Sequence, residues 1–442
     1  MKKVHITSLG CPKNTVDSEI LAGLFQNRGF VLSEDPQLSE IIIINTCGFI
    51  RDAKEESIQA IFEALDLKKK DKDKKVLVIG CFAQRYREEI VKEIPGIDGI
   101  FGIEDYKNIL DRLDGDNFSH SDAFAETDNI YNRRILSTPS HYAYIKISEG
   151  CNRSCSFCAI PSIKGRQRSR TIDLILSEAS VLAKYGVKEL IIVSQDTSSY
   201  GIDIYGKYTI IDLLQELMQT GFFQWIRTLY WYPANFPLEF IQLIKKNPCM
   251  VPYLDLPVQH ASDKVLRSMK RAETEKSLIE LFGKIRDQLP EIALRTSFIV
   301  GYPGETEEDF ERLISFIKKI RFNHVGVFLY SDEEGTDAFR LNQKVDHKVA
   351  SRRQAKLLEI QQEISLENNQ KLINSRQKVL IDHYNRTMKY YSGRTFRDTP
   401  EIDNEIIITS KKFQPDLIGS FQEVKITDAS EYELYATWIK KI

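Results

Sequence analysis

The sequence lacks a membrane span. In 442 residues no apolar run approaches the roughly 20 residues a transmembrane helix needs, so no membrane partner is expected. It also lacks an excess of one charge. Sixty-one Lys and Arg face 63 Asp and Glu, a formal net charge of -2, so the chain as a whole is not an electrostatic nucleic-acid binder. No internal repeat is evident. The start, MKKVHITSLGC, has too short an apolar part for a signal peptide and runs straight into a strand pattern. A cytoplasmic location is expected. Cysteine is scarce, with seven residues. In a large cytosolic chain so few thiols are read as metal ligands or catalytic groups before disulfides.

What is present starts with residues 148–158, SEGCNRSCSFC, in a chain long enough for two to three domains. Cys151, Cys155 and Cys158 form CxxxCxxC. Three thiols in one short loop can wrap one face of an iron–sulfur cube. The cube has four irons, so one iron is left open to bind a substrate. Structural zinc is the alternative. Zinc usually closes its shell with a fourth Cys or His at short spacing, and none follows Cys158; His141 lies upstream, across a strand-like run. The spacing resembles the radical-SAM superfamily, where the open iron chelates the amine and carboxylate of S-adenosylmethionine (SAM).

Residues 3–9 (KVHITSL) read as a strand, followed by Gly10-Cys11-Pro12 and a helix from about 14 to 28 with Leu21, Leu24 and Phe25 at helical spacing. Residues 41–44 are a solid β-branched run ending in Asn45-Thr46-Cys47-Gly48. The helix after it turns Ile58, Ile61, Phe62 and Leu65 to one face. Residues 76–79 form a third strand ending in Gly80-Cys81; 84–93 read as helix and 99–102 as the end of a fourth strand. Solid apolar strands alternating with helices imply a parallel sheet with covered faces. Cys11, Cys47 and Cys81 each follow the carboxyl end of a strand. Parallel strands carry those ends to one edge, where open α/β sheets bind ligands. One such cysteine is an ordinary buried thiol. Three in the same topological position, each beside a glycine, argue for a second three-cysteine iron–sulfur cluster with an open iron. Glycine there is expected to let the backbone approach the bulky group. The run 68–75 (KKKDKDKK) reads as a solvated helix end and turn, and 116–140 as a polar linker.

From 142 the alternation resumes. Candidate strands lie at 142–147, 188–193, 226–231, 253–256, 292–299 and 324–329, with helical patterns such as 173–185, 210–218 and 307–320 between them. Six βα units suggest a barrel, open or closed, whose active face is at the strands' carboxyl ends. Those ends carry the cysteine loop, SQDTSSYG at 194–201, WYP at 231–233, DLPVQH at 255–260, VGYPGE at 300–305 and YSDEEGT at 330–336. Together they describe a polar, Gly-rich mouth above an apolar barrel, as a cofactor site requires. For SAM, Phe157 offers ring or backbone to adenine, with a core plug as its plain alternative. Gln195 can accept the methionine amine, with a surface loop amide as its plain alternative. Gly301 and Gly304 permit close approach to the nucleoside, or simply make a turn. His260 reads as a capping or core histidine, and Cys249 as packing. The basic stretch 164–170 (KGRQRSR) reads as a substrate entrance or a solvated loop.

Residues 346–375 read as the last helix of the barrel domain. The tail changes to short alternating segments, 379–381, 405–409, 421–426 and 433–438, which indicate a small antiparallel barrel. Such barrels often bind RNA. Residues 379–442 hold nine Lys and Arg against ten Asp and Glu, net -1, whereas a phosphate-binding module is basic. A protein partner or a structural role is expected instead.

The whole chain resembles the methylthiotransferases, a radical-SAM family with an N-terminal three-cysteine α/β domain, a central (βα)6 partial barrel carrying CxxxCxxC, and a C-terminal TRAM barrel, which is OB-like. The resemblance implies domains at 1–115, 141–376 and 377–442 around the linker 116–140. SLGCPKNTVDSE around Cys11, NTCGFI around Cys47, SQDTSSYG, LDLPVQHAS at 254–262 and GRTFRDTPEID at 393–403 resemble the RimO-like branch, which modifies ribosomal protein S-12. The tRNA-modifying branches tend to have GCQMN at the first motif. Asn404 departs from the pattern, where glycine is expected after PEID. Carried over by position, Cys151, Cys155 and Cys158 would hold the SAM-cleaving 4Fe-4S cluster, and Cys11, Cys47 and Cys81 an auxiliary 4Fe-4S cluster. The family scheme uses two SAM molecules. One methylates sulfur at the auxiliary cluster. The other yields the 5′-deoxyadenosyl radical, which takes hydrogen from the β-carbon of an aspartate before the methylthio group is delivered there. The implied partners are ribosomal protein S-12, on or off the small subunit, and a low-potential electron donor such as flavodoxin or ferredoxin. Two other readings stand beside this one. A tRNA methylthiotransferase, acting on a modified adenosine near the anticodon, predicts a basic tail. A non-catalytic iron–sulfur protein leaves the Gly-rich mouth without a purpose.

Overall fold

The computed structural model describes residues 1–103, 105, 109, 130–410 and 412–439. The expected boundary at 115 and the linker residues 116–129 lie outside them. β1 (Lys3–Ser8), β2 (Val31–Leu32), β3 (Ile41–Thr46), β4 (Lys75–Gly80) and β5 (Gly99–Ile100) form one parallel sheet in the order β2-β1-β3-β4-β5. The central strand β3 is buried at all six positions, and the alternation of its side chains feeds two cores. Ile41 and Ile43 pack with Val16 and Ile20 of α1 (Pro12–Asn27); Ile42 and Ile44 pack with Ile61 and Leu65 of α2 (Arg51–Lys70). The expected helix at 84–93 is two: α3 (Cys81–Arg85) starts on the cysteine itself, and α4 (Arg87–Glu93) follows. The run 68–75 is less solvated than expected. Lys74 is buried and donates to the carbonyls of Gln37 and Ser39, and Lys68 reaches Gly96 O and Asp98.

β6 (Tyr142–Lys146) leads into β7 (Ser148–Glu149), which pairs with β8 (Arg168–Ser169) and closes the cysteine loop between them. β9 (Glu189–Val193) and β10 (Trp225–Thr228) run parallel beside β6. Main-chain bonds from Ile226 to residues 249–251 join them to β11 (Tyr253–Asp255), β12 (Ala293–Val300) and β13 (His324–Leu329). Among the described residues no strand pairing joins β6 to β13, so the six-stranded barrel is open. Outward-facing Ala143, Ile145, Leu190, Ile192 and Leu294 pack under the helices. Tyr144, Ile191 and Val193 share a core with Val16, Ile20 and Leu24 of α1, which ties the N-terminal sheet to the barrel. No described helix is long and apolar enough to cross a membrane.

β14 (Arg376–Asn385), β15 (Tyr390–Arg394), β16 (Glu405–Thr409), β17 (Phe421–Ala429) and β18 (Glu433–Trp438) close a barrel in the order β14-β15-β16-β18-β17. The small barrel is antiparallel as expected at four of its five pairs, and β16 and β18 run parallel. Five strands cannot alternate direction around a closed ring, so at least one pair must run parallel. The segment 394–403 then fills the amino-end mouth of the larger barrel. Arg394 meets Glu189 at 2.7 Å, Arg227 donates to Phe396 O at 2.8 Å, and the Tyr142 and Tyr253 hydroxyls donate to Glu401 and Asp403 at 3.0 and 2.7 Å. The small barrel therefore stands at the end opposite the strands' carboxyl ends.

Candidate functional site

The registers Ser8↔Asn45 and Thr46↔Gly80 level three strand ends of the N-terminal sheet. Cys11, Cys47 and Cys81 follow those ends and converge. Gly10 has φ +91°, and a Cβ there would stand 2.7 Å from Cys47 Cβ; a Cβ at Gly48 would stand 2.7 Å from Phe82 Cα and 3.1 Å from the carbonyl carbon of Cys81. The room left by these two glycines lets the neighbouring cysteine segments close up on one another. Asn14 Nδ2 donates to the Leu9 and Thr46 carbonyls and holds two of the loops together. Burial pushes the Cys81 thiol up to about 12, and it raises Cys47 as well.

Cys151, Cys155 and Cys158 come together in the loop closed by β7 and β8. Cys158 N donates to Cys155 O at 3.1 Å, and Arg153 N donates to Cys151 Sγ at 3.4 Å. Burial pushes Cys151 up to about 11 and Cys158 to about 12. Two cations flank the set. Arg271 Nη1 lies 4.0 Å from Cys155 Sγ, Arg153 is held by Asp196 at 2.7 Å, and both guanidinium groups stack on the Tyr232 ring, at 4.0 and 3.9 Å. Burial disfavours the thiolate form of these groups, whereas the fixed cations beside them favour it, as a bound metal would. Among the described residues, no three His, Cys, Asp or Glu side chains gather around a point fit for a single ion. A multi-iron cube is larger than one zinc with its bonds of about 2.3 Å and spreads its thiolates further apart.

The two sets meet at the short helix Ile160–Lys164, where Ala159 and Ile163 pack on Cys81. An ion network lies beneath it. Glu149 accepts from Lys146 at 2.7 Å and Gln195 Nε2 at 2.5 Å, and lies 2.9 Å from Lys164 Nζ; Lys146 also meets Asp17 of α1 at 2.5 Å. Burial pushes the Glu149 carboxyl up, but Lys146 and Lys164 outweigh it and hold it well below the usual carboxylate range. Gln195 thereby spends its donor on Glu149, while its buried Oε1 has no partner. The Phe157 ring packs with Val265, Met269 and Tyr302, so the ring is a plug. Gly301 and Gly304 have φ of +77° and +82°, and the space beside them is occupied by Ala350 and Gln343, as in a packed turn. His260 is a core histidine whose Nδ1 accepts from Ser262 N, and Cys249 packs on the barrel core. The stretch 164–170 is solvated only in part: Arg166 and Arg168 are exposed, but Lys164 and Gln167 are buried, and Arg170 pairs with Glu178. Asp17, Lys146, Glu149 and Lys164 were not legible as a group, because Asp17 joins from the N-terminal domain and Lys164 from beyond the last cysteine of the loop. The one signal was Glu149, polar at a strand end beside the first cysteine. A cleft of about 490 Å³ opens beside Cys151, lined by Arg153, Arg166 and Gln167.

Residues 3–102 match the uncharacterized protein family UPF0004, residues 145–317 the Radical SAM superfamily and residues 373–439 the TRAM domain. Ribosomal protein uS12 methylthiotransferase RimO of Caldanaerobacter subterraneus subsp. tengcongensis is 44% identical over 442 residues, covering 98% of this chain and 99% of its own. Its counterpart in Clostridioides difficile is 43% identical over 438 residues, covering 98% of each. Among solved structures, the radical SAM methyltransferase TsrM from Kitasatospora setae, with tryptophan and a SAM analog bound, superposes with a TM-score of 0.54 at 13% identity, covering 87% of this chain and 79% of its own. The cobalamin-dependent radical SAM enzyme OxsB gives 0.53 at 12%, covering 86% and 62%. These structures share the fold. With more than 40% identity to such relatives along nearly its whole length, the chain belongs to the RimO family of ribosomal protein uS12 methylthiotransferases.

Proposed function

We propose that this chain transfers a methylthio group to the β-carbon of an aspartate in ribosomal protein uS12. One observation carries the reading: two separate three-cysteine sets meet across one short helix, with Cys81 packed on Ala159, the neighbour of Cys158. Cys151, Cys155 and Cys158 would hold the SAM-cleaving 4Fe-4S cluster, and Cys11, Cys47 and Cys81 the auxiliary one. Bound there, the clusters and SAM supply the electron, the 5′-deoxyadenosyl radical and the methylated sulfur. The protein's own part is to hold and orient. Gln195 Oε1 accepts the methionine amine, and Glu149 fixes the amide the right way round for that. Phe157 anchors its loop through its ring and leaves its main chain to adenine, with the turn of Gly301 and Gly304 beside the nucleoside. Arg153 and Arg166 at the cleft beside Cys151 receive a low-potential donor of the flavodoxin or ferredoxin kind. The place of action is the cytoplasm, with the ribosome.

Anaerobic reconstitution should give about eight irons per chain. Mass spectrometry of uS12 and tRNA from cells lacking the chain should show the methylthio group missing from uS12. Its loss from tRNA alone would overturn the substrate.

The same reading assigns a duty to Glu333, in the loop after β13. Its carboxylate meets Lys54 of α2 at 2.9 Å and Arg85 of α3 at 2.5 Å, and Arg85 also donates to Gly48 O. This clamp sets Cys47 and Cys81 against the barrel. Glu333→Ala should lower the ratio of methylthiolated product to 5′-deoxyadenosine about tenfold, the effect of a small misplacement or more. An unchanged ratio means that α1 alone positions the sheet.

A further inference from the structure

Lys13 is a buried ammonium that no carboxylate among the described residues pairs with. It stands in the first turn of α1, two residues after Cys11, and is 8% exposed. Its Nζ lies 3.6 Å from the centre of the Tyr230 ring and 3.4 Å from Ser194 O. Among the described residues no Asp or Glu pairs with it. Asp255, which feels its charge, is turned to the Tyr230 main-chain N–H and to Arg295.

Three unfavourable features converge on this point. A cation in the first turn of a helix faces the positive end of the helix dipole. An ammonium removed from water needs a counter-ion. Tyr230, which lies under it, holds φ at 63°, a left-handed backbone that side chains other than glycine rarely adopt. The Tyr230 ring and the Ser194 carbonyl offset part of the ammonium's cost, and the Cys47 thiol feels its charge, but no carboxylate among the described residues pairs with it, so an external carboxylate is what the arrangement suits.

We propose that Lys13 grips the side-chain carboxylate of the substrate aspartate. This rests on the function proposed above. Lys13 belongs to the element that starts at Cys11, and it reaches across to Ser194, the neighbour of Gln195. A carboxylate on its Nζ therefore sits between the N-terminal cysteine set and the SAM side of the barrel, with the adjoining β-carbon in the gap. The Tyr230 ring is the wall behind the ammonium. The other carboxylate at hand is that of the SAM methionine, and the test separates the two.

The test is equilibrium binding of two synthetic uS12 peptides, one with the target aspartate and one with asparagine in its place, to the anaerobically reconstituted enzyme. The wild type should bind the aspartate peptide about tenfold more tightly or better, as for a hydrogen bond to a charged group. Lys13→Met should bind both peptides alike, and Lys13→Arg should keep most of the preference. SAM binding by Lys13→Met, measured in parallel, should stay at the wild-type level. A Lys13→Met enzyme that keeps the full preference overturns the assignment; if its SAM affinity falls at the same time, the anion is the methionine carboxylate. A wild type that does not tell the peptides apart refutes the aspartate reading itself, and this inference with it.

Discussion

Cys47→Ala should leave about four irons per chain in place of about eight, with 5′-deoxyadenosine still formed and no methylthio product. The supports of the two cysteine sets come from different elements. Cys151, Cys155 and Cys158 are framed by the β7–β8 ladder, Arg153 with Asp196, and Arg271, all within the barrel domain. Cys47 is held by the N-terminal sheet, and its main chain is pinned by Ser57, whose Oγ accepts from Cys47 N at 3.0 Å and donates to Cys47 O at 2.9 Å. Alanine keeps those bonds and removes only the sulfur. The loss is therefore confined to the auxiliary set. Cys155→Ala is the converse and should stop SAM cleavage, with product falling as a consequence. Iron analysis, with chromatography of deoxyadenosine and modified uS12, checks both. A Cys47→Ala enzyme with full product yield would sink the two-cluster mechanism.

The placement of those cysteines was legible because it depends on local patterns. Apolar runs mark strands, parallel strands share a carboxyl edge, and each thiol stands just past a run. Six barrel strands were legible for the same reason. What stayed hidden was set by contacts between distant residues. Lys146 and Asp17 are 129 positions apart, and no spacing rule links them. Lys164 sits in a basic stretch that looks solvated, yet Glu149 and the packing of Ile163 on Cys81 draw it inside. GRTFRDTPEID read as a family signature; its physical task is to fill the foot of another barrel. The parallel pair β16–β18 follows from ring closure, which strand patterns do not express.

Arg394→Ala should be the most damaging change outside the cysteines, at about 3–5 kcal/mol, as when one partner of a buried ion pair is removed. The Arg394 side chain is 3% exposed; it meets Glu189 at 2.7 Å and Asp382 at 2.7 and 3.0 Å. Burial works against its charge, and the two carboxylates more than restore it. Without it, among the described residues, Glu189 keeps Arg227 and Asp382 keeps His141 as the one basic partner of each. Arg394→Lys should recover part of the loss, because a point charge cannot serve both acids as the fork does. The pH dependence has a definite sign. Burial raises the Asp382 carboxyl, but Arg394 and His141 hold it below its ordinary value. A depressed acid contributes stability above its unfolded pKa of about 3.9 and loses it as pH falls through the folded one. The gap between wild type and Arg394→Ala is therefore full at neutral pH and narrows in acid. Trp225 packs edge-on to Phe421, at 4.7 Å between ring centres, across the joint between the two barrels. Its fluorescence should report the joint opening at lower urea in the variant than in the wild type. An unchanged midpoint at neutral pH would mean that Arg227 and His141 satisfy both acids alone, and that the small barrel is held by its other contacts, such as Tyr142 with Glu401 and Tyr253 with Asp403.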